Sequence, residues 1–215
     1  MDLCGNKKIT VENCVESVKI GFFAVNSYEK RILMQNKARL VSITGILTAM
    51  STILYVYPTF PIIPAFPWLK IDFADVPALF AALLINPVIG GIVVLIRNSI
   101  HLLISSTGMV GELSNFIISA LFVISAGVFS RIYSKEKVLS VCRLIFTMIS
   151  AMLIQVVVAA LCNKYIMIPL YGIQGDPAEY ILMGVVPFNL IKTAMSSVLF
   201  LLNYRTLIPK IRRYI

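Results

Sequence analysis

Six blocks of apolar residues, almost unbroken by charge, leave this chain little choice of solvent. They run Ala38–Tyr57, Val76–Asn86, Pro87–Ile104, Leu113–Arg131, Val138–Cys162 and Met183–Tyr204. A helix needs about 20 residues to cross a hydrocarbon core of roughly 30 Å, and blocks of this kind supply them. Composition agrees: 59% of residues are hydrophobic and 13% charged, and the mean hydropathy is +0.89, beyond what a domain with a solvated surface carries. The pattern predicts an all-α integral membrane protein, a bundle of six transmembrane helices with a proline-rich outer first loop. The second block is too short to span alone. It is expected to start earlier, within the preceding loop, or to lean on its neighbours.

The basic residues orient the bundle, because loops retained in the cytoplasm carry the excess of Lys and Arg. With the amino terminus inside, 15 of the 19 basic residues fall on inner segments, including Arg131, Lys135, Lys137 and Arg143. The outer loops keep Lys70 and Lys164 against Asp72, Asp75, Glu112, Asp176 and Glu179. A cell-membrane protein with both termini cytoplasmic follows, and its net charge of +9 faces anionic inner-leaflet lipid. No basic stripe interleaved with aromatics lies outside the apolar blocks, so a nucleic-acid partner is not expected.

Residues 1–36 read as a cytoplasmic leader and residues 37–215 as the membrane domain. Two other readings of the leader stand. One is a short amphipathic surface helix around Val18 to Leu33; the other is an over-long start, since Met34 opens the stretch MQNKARL. The first apolar stretch, Ile20 to Val25, is short and followed by charge, unlike a secretory signal. The cysteines at 4, 14, 142 and 162 lack CxxC spacing and read as free thiols. With His101 the one histidine of the chain, no His-rich metal centre is expected.

Two outer loops are more than connectors. The first carries prolines at 58, 61, 64, 67 and 77 together with Phe60, Phe66, Trp68 and Phe73. Proline blocks regular helix and stiffens an extended path, so this loop reads as a lid or wall over an outward-facing cavity, with an interfacial aromatic belt as the alternative. The second loop, Asn163 to Tyr180, is again aromatic, with Tyr171 among its rings and Gly and Pro as turn formers.

Polar groups inside the blocks are costly unless paired and are therefore candidates for function. Asn189 and Lys192 lie three apart, on one helical face, and Asn163 closes the fifth block at a similar depth. Two amides and an ammonium offer donors and acceptors suited to a ring edge that alternates carbonyl and N–H groups, as the pyrimidine part of a flavin does; interhelical glue is the alternative. Glu112 and Asn115, in GELSNF, sit at the start of the fourth helix, where Glu112 answers either the helix dipole or the hydroxyls of a ligand. Arg97 and His101, four apart, read as structural, capping each other's surroundings or bonding neighbouring helices. Gly45 and Ala49 form a small-xxx-small pair that lets another helix approach.

Chemistry within the chain itself finds little support. There is no GxxxxGK[ST] for nucleotide, and a membrane-embedded enzyme would need a nucleophile and base or metal ligands converging in the bundle; neither HExxH nor GxSxG occurs, and no catalytic residue is assigned.

The sequence resembles the substrate-binding S components of energy-coupling factor (ECF) transporters, within them the riboflavin-specific branch. The resemblance rests on LKIDFADVPAL closing the proline-rich loop, then LIRNSIHLL, GELSNF, NKYIMIPLYG and PFNLIK, in that order, and covers roughly Ala38 to Tyr204. It implies a six-helix bundle that binds vitamin from outside as substrate, not cofactor, and then joins a transmembrane coupling subunit and two ABC-type ATPases. The family's vitamin-contacting positions fall on Asn163, Asn189 and Lys192. Its docking helix corresponds to the one bearing Gly45 and Ala49, although here Gly and Thr stand beside the alanines. Riboflavin is the expected substrate, its apolar ring face covered by Phe66 and Trp68; another vitamin, thiamin or pantothenate, is the alternative.

Overall fold

A computed structural model describes residues 37–61, 69–105, 108–133, 140–172 and 176–212. The chain divides into two compact units, Met1–Ser42 with Ile215, and Ile43–Tyr214. Of the first unit the described part is the helical stretch 37–42; the description below concerns the second. The leader expected over residues 1–36 lies outside the described residues, as do Phe66 and Trp68.

The elements are α1 (Lys37–Val56), a two-residue antiparallel pair β1 (Phe60–Pro61) and β2 (Lys70–Ile71), α2 (Asp75–Leu84), α3 (Pro87–His101), α4 (Gly108–Tyr133), α5 (Val141–Cys162), α6 (Ile168–Tyr171), α7 (Pro177–Tyr180) and α8 (Val186–Arg212). Five-residue π-helical segments, Asn163–Met167 and Ile181–Val185, join α5 to α6 and α7 to α8, so the described residues form six helical bodies. Four of them, starting at Lys37, Gly108, Val141 and Pro177, are long and apolar enough to cross a membrane.

Local chemistry sets the helix ends. Asn86 caps α3 by accepting from the Val88 N–H at 2.9 Å, and Pro87 fills the first position, where no amide donor is needed. Asp176 and Pro177 repeat the device at α7. Gly172, at φ +59°, closes α6 in the left-handed region that glycine enters without a Cβ penalty.

The short second block does not reach back into the loop. It begins at Asp75, because the preceding backbone is committed elsewhere: β2 pairs with β1, and the Asp72 carboxylate accepts from the Ala74 N–H at 3.0 Å. Ten residues rise about 15 Å, half a hydrocarbon core, and α2 instead leans on its neighbours. Ala78, Leu79, Phe80, Ala81 and Ala82 are buried in a core shared with Val93, Val94, Phe122, Val123 and Phe200. The approach of α3 is close enough that a Cβ on Gly90 would lie 2.6 Å from the Ala82 Cβ and 2.8 Å from Val123. By contrast α1, α5 and α8 turn apolar side chains such as Ile53, Phe146, Leu153, Val157 and Leu202 outward, the arrangement expected where hydrocarbon, not water, is the solvent.

Candidate functional site

Where α1, α3, α4, α8 and the π-helical segment after α5 meet the segment before α2, they line a cavity of about 390 Å³, within the range of small-molecule sites. Leu69, Ile118, Met167 and Phe188 give it apolar surface, and Asn163, Asn189, Lys192, Asp72, Glu112, Asn115, Tyr55, His101 and Ser105 give it polar groups. The structure thus brings together six of the polar residues singled out in the sequence, Asn163, Asn189, Lys192, Glu112, Asn115 and His101.

Each of the two asparagines on the cavity lies beside a π-helical segment. Asn163 opens the first π-helical segment, and Asn189 follows one turn after the second. A π turn admits an extra residue and offsets the side chains beyond it, which is why such turns recur at functional sites. Both residues are buried, and each spends one amide N–H on its own helix, Asn163 on the Ala159 carbonyl and Asn189 on the Val185 carbonyl, at 2.8 Å each. The amide oxygen and one N–H remain for an occupant. Thr193, next to Lys192, donates to Gln155 of α5 at 2.7 Å and ties α8 to α5 behind this wall.

Lys192 is not free. Its ammonium donates to Asp72 Oδ2 at 2.8 Å and to Asn115 Oδ1 at 3.4 Å. Asn115 donates in turn to the Tyr55 hydroxyl at 2.7 Å and to Asn98 at 3.0 Å. The Glu112 carboxylate accepts from Tyr55 at 3.0 Å and from Ser105 at 2.9 Å, and lies 2.8 Å from His101 Nδ1. Among the described residues no group of carboxylates, histidines and cysteines is arranged to hold a metal.

Several readings from the sequence are revised. Because α4 starts at Gly108, Glu112 lies beyond its first turn, where a helix dipole has faded; tertiary partners hold its carboxylate instead. Arg97 and His101 do not pair with each other. Arg97 donates to Asp75 of α2 at 2.6 Å, bonding neighbouring helices as one reading had it, whereas His101 lines the cavity. Tyr171 ends α6, 44% exposed, and is not among the lining residues. Gly45 and Ala49 are exposed on α1, with nothing within 4 Å of a Cβ on Gly45. Asp72, Tyr55 and Ser105 were missed. Asp72 had a legible signal: a lysine inside an apolar block needs a carboxylate, and KIDFAD offers two.

Comparison with known proteins gives a family. The family described as ECF transporter, substrate-specific component, matches residues 39–204. The riboflavin transporter RibU of Staphylococcus aureus (strain TCH60) is 34% identical over 191 residues, which is 86% of this chain and 97% of that protein. The riboflavin transporter FmnP of Bacillus subtilis (strain 168) is 30% identical over 189 residues, 82% of this chain and 96% of its own. A solved S component of a bacterial ECF transporter superposes with a TM-score of 0.70 at 32% identity, covering 80% of this chain and 97% of that one.

Proposed function

The chain belongs to the substrate-specific components of ECF transporters, and we propose that its cavity captures riboflavin for uptake across the membrane. The observation that carries this reading is the meeting of Asn163, Asn189 and Lys192 on one side of a cavity of about 390 Å³, in a chain that shares most of its length with named riboflavin transporters. The pyrimidine edge of the flavin alternates carbonyl oxygens with an N–H. Lys192 donates only, while each asparagine both donates and accepts, so the three groups satisfy such an edge without leaving a dry polar atom unpaired. Leu69, Ile118, Met167 and Phe188 suit the flat ring faces. Elsewhere on the lining Glu112, Ser105 and His101 offer partners to the hydroxyls of the side chain.

Capture is not transport. The chain has no GxxxxGK[ST] nucleotide loop, so the energy comes from a transmembrane coupling subunit and two ABC-type ATPases. The exposed Gly45–Ala49 stripe of α1 admits a partner helix at close range. Both termini face the cytoplasm and the cavity opens outside, the orientation supported by the distribution of Lys and Arg. A thiol introduced as Lys135→Cys stays unmodified by an impermeant reagent on intact cells; labelling there would reverse the orientation.

The central experiment titrates the purified protein with riboflavin, thiamin and pantothenate. Riboflavin fluorescence is expected to quench to saturation while the other two fail to compete. Tight thiamin or pantothenate binding with no flavin quenching would overturn the assignment.

A further inference from the structure

Lys192 is a buried charge at the cavity wall, and its ammonium meets a carboxylate from another element. The Lys192–Asp72 pair closes at 2.8 Å with side chains 4% and 3% exposed. Asp72 is itself held: its second oxygen accepts from the Ala74 N–H at 3.0 Å, and the segment is anchored on both sides by Ile71 and Ala74, each with no exposure at all. The carboxylate is thus fixed by backbone and points a defined charge at the ammonium. Both residues line the cavity.

We propose that Asp72 is the positioning residue for Lys192, holding the ammonium ready for the occupant's polar edge; the proposal rests on the reading of the cavity as the riboflavin site. A lysine has four rotatable bonds, and an untethered one loses that freedom when it meets a ligand. Here the loss is incurred on folding, which leaves less to lose on binding. Asp72 does not compete with the ligand for the ammonium. Of the three N–H donors, one is taken by Asp72 and one lies at the long distance of 3.4 Å from Asn115, so at least one remains for an occupant. Without Asp72 the ammonium would be buried with no counter-charge, which a lysine escapes by turning away.

The experiment is a double-mutant cycle on riboflavin affinity, read by flavin fluorescence on the full-length detergent-purified chain, with Asp72→Asn, Lys192→Met and the double variant. Each single change is expected to weaken binding about 10- to 150-fold. The double variant is expected to bind within about twofold of Lys192→Met alone, because Asp72 acts through Lys192, and Asp72→Glu is expected to recover part of the loss. Undiminished or tighter binding by Asp72→Asn, or losses that multiply in the double variant, would overturn the positioning role. Should Asp72→Asn fail to fold, the double variant, which has lost both charges, is compared with Lys192→Met: equal affinity supports the role and a further loss overturns it. Failure of the unaltered chain to bind riboflavin would sink the reading of the cavity and this proposal with it, whereas tight binding with multiplying losses sinks the positioning role alone.

Discussion

Two buried ion pairs lie close together in this molecule and have different work. Arg97 and Asp75 meet at 2.6 Å with no exposure on either side chain; Lys192 and Asp72 meet at 2.8 Å with 4% and 3%. The first pair joins α3 to α2, with Arg97 also 3.4 Å from Ser51 Oγ and its guanidinium 5.3 Å from the centre of the Tyr55 ring, so it fastens three helices. Neither of its residues lines the cavity, while both residues of the second pair do. The residue types follow the difference. Arginine, a planar fork that stays charged, suits a permanent bond among helices, and lysine, a point charge with rotatable donors, suits one shared with a ligand.

The largest effect should therefore come from the sealed pair. Arg97→Leu strands the Asp75 carboxylate and is expected to cost about 3 to 5 kcal/mol of stability, read as an earlier unfolding midpoint of the detergent-solubilised protein. Arg97→Leu with Asp75→Leu should recover most of it, since two apolar residues leave no stranded charge. The contrast breaks if Arg97→Leu unfolds no earlier than Lys192→Met. Next in size, Lys192→Met should lower riboflavin affinity by about 1.5 to 3 kcal/mol, or roughly 10- to 150-fold, with a smaller shift in unfolding, because its stranded Asp72 borders a cavity. Asn189→Ala removes a neutral partner and should cost about 1 kcal/mol of binding, measured by the same titration. The smallest change belongs to α1. Gly45→Leu enters open space and should leave riboflavin affinity within about 0.5 kcal/mol, while cellular uptake falls if that stripe receives the coupling subunit.

How much could be read in advance differs between the two pairs. Lys192 and Asn189 stood out because a polar residue three positions from another in an apolar run marks one face of a helix, and the structure puts both on the cavity. Arg97 was read as structural, and it is. Its partner was not legible, because the bond between Asp75 and Arg97 spans the turn from α2 to α3 and depends on how those two short helices pack. Of the two readings of Glu112, the helix-dipole one fails for a related reason: the apolar run begins at Leu113, but the helix begins at Gly108, and helix ends depend on hydrogen-bonding partners that hydropathy does not see.

The sequence by itself determined the solvent, the number of helical bodies and the residue types of the polar wall, because hydrocarbon imposes a length on each helix and a penalty on each unpaired polar group. Only the tertiary structure decided that α2 is a buried half-length helix, that Asn163 and Asn189, each beside a π-helical segment, meet at one cavity, and that Asp72, 120 residues away in sequence, pairs with Lys192. Those are matters of distance between elements. A one-dimensional pattern of apolar and polar residues says which face of a helix is buried, and packing alone says which carboxylate it finds there.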